Sequence, residues 1–229
     1  MYAKDKNAMF YWKSIMQDAD PNTYEFIDED YWKDKNHTFY QGKIIKSADP
    51  TNLNTWVIMK GGKYIRDLTN DSKDYYLKWV PIWVDVSTFT ILNQEVLEDD
   101  IVHAKDKAYY YVINVSMPVS SYFPIDKLAK KFTVSDIDSL EFLGEGYTKD
   151  KNHAYYYGEI ILDADVMTFK NSWNKFAVDW KYVYVEWEKV THIDPESFYV
   201  WTRNWVRWVD KNWCYSNYKW TKLAKCDIK

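Results

Sequence analysis

Tyr147-Thr148-Lys149-Asp150-Lys151-Asn152, followed by Tyr155-Tyr156 and then Ala164-Asp165 with Phe169, is the stretch that decides the fold. It recurs within the chain. Tyr31-Trp32-Lys33-Asp34-Lys35-Asn36 repeats it, with Phe39-Tyr40, Ala48-Asp49 and Leu53 at matching offsets. Tyr2-Ala3-Lys4-Asp5-Lys6-Asn7 does so again, with Phe10-Tyr11, Ala19-Asp20 and Tyr24. Self-similarity at a fixed spacing marks a repeat architecture.

The register survives in copies that have lost part of the motif. Asp179-Trp180-Lys181 follows Phe176, and Ile193-Asp194-Pro195 with Phe198 falls at the Ala-Asp positions. Tyr75-Tyr76 with Val84-Asp85 and Phe89 makes another copy, as does Lys105-Asp106-Lys107 with Tyr109-Tyr110-Tyr111. The last has Asp210-Lys211-Asn212, Tyr215 and Ala224. Units therefore start near residues 2, 31, 67, 103, 147, 176 and 207, giving about seven copies of roughly 29 residues in one repeat domain over 1–229. Two insertions break the spacing, near 60–66 and 117–131. Insertions in an array map to surface loops, often on the binding face.

Each unit reads as a hairpin. Tyr, Phe, Val, Ile and Thr flank the turn and suit a pleated, half-buried surface. Asp accepts hydrogen bonds from backbone amides just ahead of it, and Asn tolerates the left-handed conformation. Residues 31–33 should then pair antiparallel with 37–45. Asp20-Pro21, Asp49-Pro50 and Asp194-Pro195 set a capping residue before one favoured at the first helical position, which predicts a turn of α- or 3₁₀-helix. Phe89, Phe169 and Phe198 would pin that turn, each ring contributing about 2 kcal/mol on burial. A lone hairpin is marginal in water, so each unit needs its neighbours. The expected fold class is mainly β, a tandem array of hairpin-plus-helical-turn repeats, curved or ring-like.

Aromatics make up 19% of the chain, with 13 Trp and 21 Tyr against 6 Gly and 6 Pro, which excludes the disordered and collagen-like classes. No apolar run approaches the roughly 18 residues needed to cross a bilayer, so no transmembrane segment is expected. Net charge is −4, and phosphate binding rests on an excess of Lys and Arg, so nucleic acid is not an expected partner. The first ten residues hold no signal-peptide apolar segment, which leaves exported and cytoplasmic locations both open.

The chemistry-bearing residues are sparse. His37 and His153 share one repeat offset, and His103 and His192 stand apart, which points to structural roles. No Cys or His cluster has metal-ligand spacing, so neither a metal nor a cofactor is expected. Asp5, Asn7, Asp18 and Asp20 could suggest calcium, but interleaved Lys favours turn and cap roles. Glu98-Asp99-Asp100 reads as a solvated linker, and neither a phosphate loop nor a Gly-x-Ser-x-Gly elbow is present. An enzyme is not expected. Cys214 and Cys226 both lie in the last unit, where a disulfide would clamp a terminal repeat and imply an oxidising compartment. Arg203, Trp205 and Arg207 in a dense aromatic segment, and Tyr122 and Phe123 in the second insertion, are the candidate partner-binding residues.

The run Tyr-x-Lys-Asp-Lys-Asn, then Tyr-Tyr, then Ala-Asp-x-x-Thr-Phe resembles the bacterial DKNYY repeat family, most strongly over 2–53 and 147–198 and more weakly over 60–146. Ala108 and Lys181 depart from the turn Asn. The resemblance implies a bacterial protein, often periplasmic or otherwise exported, with no catalytic residues to transfer. It also implies a non-catalytic scaffold that binds a protein partner, most concretely an immunity-type protein that neutralises a toxin. The alternative is an exported cell-wall or carbohydrate binder, in which solvent-facing Tyr pairs would stack on sugars.

Overall fold

The structure is a computed structural model that describes residues 2–58, 62, 64–65, 67–93, 100–119, 124–173, 175–201, 207–211 and 214–216. The chain divides into two compact units, Met1–Lys131 and Phe132–Lys229. It is mainly β, and the described strands form seven small antiparallel sheets of three or four strands. None of these sheets closes on itself.

The sheet around Asp150 shows the pattern. Tyr147–Lys149 pairs with Ala154–Tyr156 across the Asp150 turn, in the register Tyr147↔Tyr156, Thr148↔Tyr155 and Lys149↔Ala154. Glu159–Ile160 adds a third strand, and Glu141–Gly144 adds a fourth on the other side. The second turn is Tyr157-Gly158, with φ of 46° and 87°. Two positive φ values in a two-residue loop match the strand twist, and Gly adopts them without steric cost. Tyr31–Lys33 with Thr38–Tyr40 and Phe176–Val178 with Val183–Val185 repeat the arrangement, flanked by Glu25–Phe26 and Lys170–Trp173 respectively.

The turn aspartate explains the motif. Asp150 Oδ1 accepts from the backbone N–H groups of Asn152 at 2.8 Å and His153 at 2.7 Å. Its Oδ2 accepts from the Tyr155 hydroxyl at 2.7 Å, the Asp136 N–H at 2.9 Å and Ser135 Oγ at 2.8 Å. Only 2% of Asp150 is exposed. Burial would raise its pKa, but the hydrogen bonds from Tyr155, Asn152, His153 and Ser135 outweigh that and bring it down to about 2. Asp71, Asp106 and Asp179 likewise hold two turn amides on Oδ1 and take the hydroxyl of Tyr76, Tyr111 or Tyr184 on Oδ2. Phe39 fills that offset at Asp34 and brings no hydroxyl.

The same carboxylate joins neighbouring units. Asp20, Asp49, Asp85, Asp165 and Asp194 donate their backbone N–H to Oδ2 of Asp34, Asp71, Asp106, Asp179 and Asp210, at 2.6–3.1 Å. Three residues after the donor, except at Asp49 where Asn52 stands, a hydroxyl is shared too, and Ser139 after Asp136 does the same. Thr23, Thr88, Ser139, Thr168 and Ser197 accept from the N–H groups of Lys35, Lys107, Lys151, Trp180 and Lys211. The turn lysine then closes an ion pair, as in Lys35–Asp20 at 3.4 Å and Lys211–Asp194 at 3.2 Å. Being exposed to solvent, these pairs add little to stability. Where Trp180 replaces that lysine, its indole N–H donates to Asp165 Oδ2 at 2.9 Å instead.

The Ala-Asp segments form single Asp-capped turns: the N–H of Asn52 donates to the carbonyl of Asp49 at 3.2 Å, that of Thr88 to the carbonyl of Asp85 at 3.1 Å, and that of Phe169 to the carbonyl of Asp165 at 2.9 Å. The Asp keeps its capping role, accepting from Thr51 in one case and Ser87 in the next. Its N–H is at the same time committed to the turn aspartate of the next unit. Among the described residues the one α-helix is Ile125–Leu128, in the second insertion.

Apolar packing follows the offsets. In the unit Phe132–Lys229, Phe169 is buried between Tyr147 and Tyr184, with centroids 5.8 and 5.5 Å away, and Phe176 packs on Phe198 at 5.3 Å. In the unit Met1–Lys131, Phe89 lies 4.2 Å from Tyr75, beside a core of Ile65, Leu68, Leu77, Val102 and Ile113.

Candidate functional site

The first insertion carries the candidate site. Asn54 bridges Asn70 through both backbone groups, at 2.7 and 3.0 Å, in the place where other hairpins receive a fourth strand. The chain then leaves the sheet and turns back through an Ile58↔Tyr64 bridge. Strand alternation sorts its side chains. Val57 and Ile65 are buried in the core and anchor the projection, while Trp56, Ile58 and Tyr64 face solvent with 63%, 58% and 39% of their surface exposed. The Trp56 and Tyr64 rings lie 5.2 Å apart. Three large apolar groups held outward on anchored backbone form a preorganised contact patch.

Beside this projection runs a groove of about 560 Å³. Val57, Ile58, Tyr75, Phe89, Ile91 and Leu92 line it, with Asn54, Asn70 and Thr90 as its polar groups. No lining side chain is charged, and burial raises the Tyr75 pKa, so the phenol stays a neutral donor. Such a surface suits an apolar or aromatic segment of a partner.

A second cleft in the same unit, of about 320 Å³, is acidic, with Asp30, Asp67 and Asp100 beside Tyr40, Gln41, Val115 and Ser116. Asp30 accepts from the Gln41 side chain at 3.0 Å. Asp67 accepts from the Tyr40 hydroxyl at 2.8 Å and lies 3.7 Å from Lys78 Nζ. No group of three or more His, Cys, Asp or Glu among the described residues is placed to hold a metal ion.

The other candidates fall elsewhere. Tyr122, Phe123, Arg203 and Trp205 lie outside the described residues. Arg207 opens the strand Arg207–Val209, which pairs with Tyr199–Trp201 and Cys214–Ser216. Cys214 lies in that last strand and Cys226 lies outside the described residues, so the structure shows no bridge between them. His37 and His153 sit directly after their turns, each donating its N–H to the turn aspartate. His103 is buried with its ring nitrogen 2.5 Å from the Tyr110 hydroxyl, and burial lowers its pKa to about 3. The Tyr pairs expected to face sugars are buried: Tyr110, Tyr111, Tyr155 and Tyr156 are all core residues. Sequence reasoning missed Trp56, Ile58 and Tyr64, because Trp56-Val57-Ile58 is apolar throughout and only the lost repeat spacing near 60–66 marked the region.

The family model described as the DKNYY family matches residues 2–179. The chain belongs to the DKNYY family. That match begins at the first hairpin and ends at the Asp179 turn, spanning the turn aspartates from Asp5 to Asp179. No curated protein and no solved structure matches the chain. No helix among the described residues is long and apolar enough to cross a membrane.

Proposed function

We propose that this DKNYY-family chain is a non-catalytic scaffold of seven tandem units that binds a protein partner, most concretely an immunity-type inhibitor of a bacterial toxin. One observation carries the reading: where the first insertion interrupts the repeat, Trp56, Ile58 and Tyr64 are held outward on a buried anchor beside an uncharged groove. Aromatic anchors of this kind supply most of the binding energy in protein interfaces. The net charge of −4 and the acidic cleft favour a basic partner through steering. The carbohydrate alternative loses its main support because the Tyr pairs are core residues. An exported location accords with this role and is part of the proposal.

The test is calorimetric titration against the products encoded next to this gene. A nanomolar complex is expected with one of them, weakened about 10- to 100-fold by Trp56→Ala with Tyr64→Ala. Failure of every such product to bind, or undiminished binding by the double variant, overturns the reading.

A further inference from the structure

We infer that the strand Thr90–Ile91 is an edge onto which an uncharged, extended segment of a protein partner adds as a further strand, lying in the groove beside the Trp56 projection. The inference deepens the proposed function: it rests on a protein partner docking here and names what that partner presents.

Backbone geometry sets the direction of this edge. Thr90–Ile91 is the outer strand of a four-stranded sheet and pairs with Ile101–Lys105 in the register Thr90↔Lys105 and Ile91↔Ala104. The Leu92 N–H bonds the His103 carbonyl at 2.7 Å, so Leu92 turns toward the sheet. Successive residues of an antiparallel strand turn their backbone groups to opposite sides, so the N–H and C=O of Ile91 face away from it. The neighbouring pair gives the same answer. The Asp106 N–H bonds the Tyr109 carbonyl, and two residues back the same alternation commits Ala104 to Tyr111. Among the described residues no hydrogen bond reaches the outward N–H and C=O of Ile91. Phe89, Thr90, Ile91 and Leu92 line the groove together with Val57 and Ile58.

This edge also lacks the guard that its counterparts carry. An exposed strand edge invites pairing, and charged side chains are a common block. The outer strands of the three other four-stranded sheets open with Glu25, Glu141 and Lys170. Glu25 and Glu141 pair with Lys33 and Lys149 opposite them, each at 3.4 Å. Thr90 holds that place opposite Lys105, and Thr90-Ile91-Leu92-Asn93 carries no charge.

The chemistry of the occupant follows. It is extended, because only an extended backbone offers an acceptor and a donor to Ile91 together. It is uncharged, because no side chain lining the groove could pair a buried charge. Its residue opposite Ile91 places its side chain on the face that Ile91 itself uses. There Ile91 packs against the core beside Tyr75 and Phe89, whose rings lie 4.2 Å apart, so an aromatic or β-branched side chain suits that position.

The probe is the capped peptide acetyl-Thr-Val-Tyr-Val-Thr-amide, titrated into the isotope-labelled full chain and followed by NMR. Saturable shifts centred on residues 89–92 are expected, and the counterpart with Asp in place of Tyr should be inactive. Ile91→Pro removes the outward N–H and leaves the bonds of Leu92 to the sheet. Thr90→Glu, opposite Lys105, restores the charge that the other outer strands carry. Each should weaken the peptide at least about tenfold, and an unchanged circular dichroism spectrum shows that the fold persists. The chain with Trp56→Ala and Tyr64→Ala should bind the peptide as the parent does, since neither side chain lines the groove. Absence of saturable shifts at millimolar peptide, shifts centred elsewhere, or undiminished binding by both edge variants overturns the inference. So does concentration-dependent self-association that Ile91→Pro abolishes, because the occupant would then be a second copy. A neighbour-encoded product whose binding falls with Trp56→Ala and Tyr64→Ala but not with Ile91→Pro refutes this inference and leaves the proposed function standing. Peptide shifts at Ile91 with no such product binding refute the proposed function alone.

Discussion

Replacing Asp106 and Asp5 with Asn, one at a time, compares the same motif residue in two settings within the unit Met1–Lys131. Asp106 Oδ1 holds the amides of Ala108 and Tyr109, both at 2.8 Å, and Oδ2 takes the Asp85 N–H at 3.0 Å and the Tyr111 hydroxyl at 2.5 Å. Asn can keep the two turn amides on its oxygen. Its NH₂ then faces the Asp85 N–H, and two donors cannot pair. The charge is lost, the part-buried Asp85 N–H is left unmade and the Tyr111 hydroxyl can only turn to accept a neutral bond from the NH₂, so the cost is about 2–4 kcal/mol. Asp5→Asn turns its NH₂ toward solvent and should cost about 1 kcal/mol or less. Urea denaturation, with hydrogen exchange read on peptides of this unit, measures both. Equal losses, or a larger loss at Asp5, would refute the claim that Oδ2 joins the units.

Three further outcomes follow from the same geometry. Phe39→Tyr should add the hydroxyl that Asp34 lacks and stabilise the first unit by about 1 kcal/mol, read as a higher urea midpoint; a lower midpoint contradicts the equivalence of the offsets. The Asp150 pKa is about 2 when folded and about 3.9 when unfolded, so its contribution of about 2 kcal/mol is complete above pH 4 and fades as pH falls toward 2. Acid titration of the unit Phe132–Lys229 should show that loss, and Asp150→Asn should flatten it. Gly146 has φ +84°, and a Cβ there would lie 2.4 Å from the Tyr157 ring, so Gly146→Ala should cost about 2–3 kcal/mol in thermal melts. A loss below about 0.5 kcal/mol would place the ring elsewhere.

The hairpins were legible because their chemistry is local. Asp150 and the amides of Asn152 and His153 lie within three residues, so turn propensity alone predicts their contact. The Asp136 N–H reaching the same carboxylate lies 14 residues away, and no propensity encodes that distance. The single turn after Asp49-Pro50 was legible because it too is local. Asp20-Pro21 favours such a turn locally, whereas the Asp20 N–H on the Asp34 carboxylate and the Thr23 hydroxyl turned to the Lys35 N–H are contacts across 14 and 12 residues. The insertion near 60–66 was visible as lost spacing. Its exposed face was not, because whether Trp56 or Val57 points inward depends on which lies over Leu68 and Leu77.

The joints between units have a consequence for how this chain tolerates change. Their hydrogen bonds run through backbone amides and a turn carboxylate, and outward-facing positions such as Trp12, Leu162 and Met167 can vary without disturbing them. Excising the stretch between two equivalent aspartates would bring matching donors and acceptors together at the new seam. Length and surface are therefore separately adjustable, which lets a lineage lengthen, shorten or resurface the molecule while leaving its couplings intact.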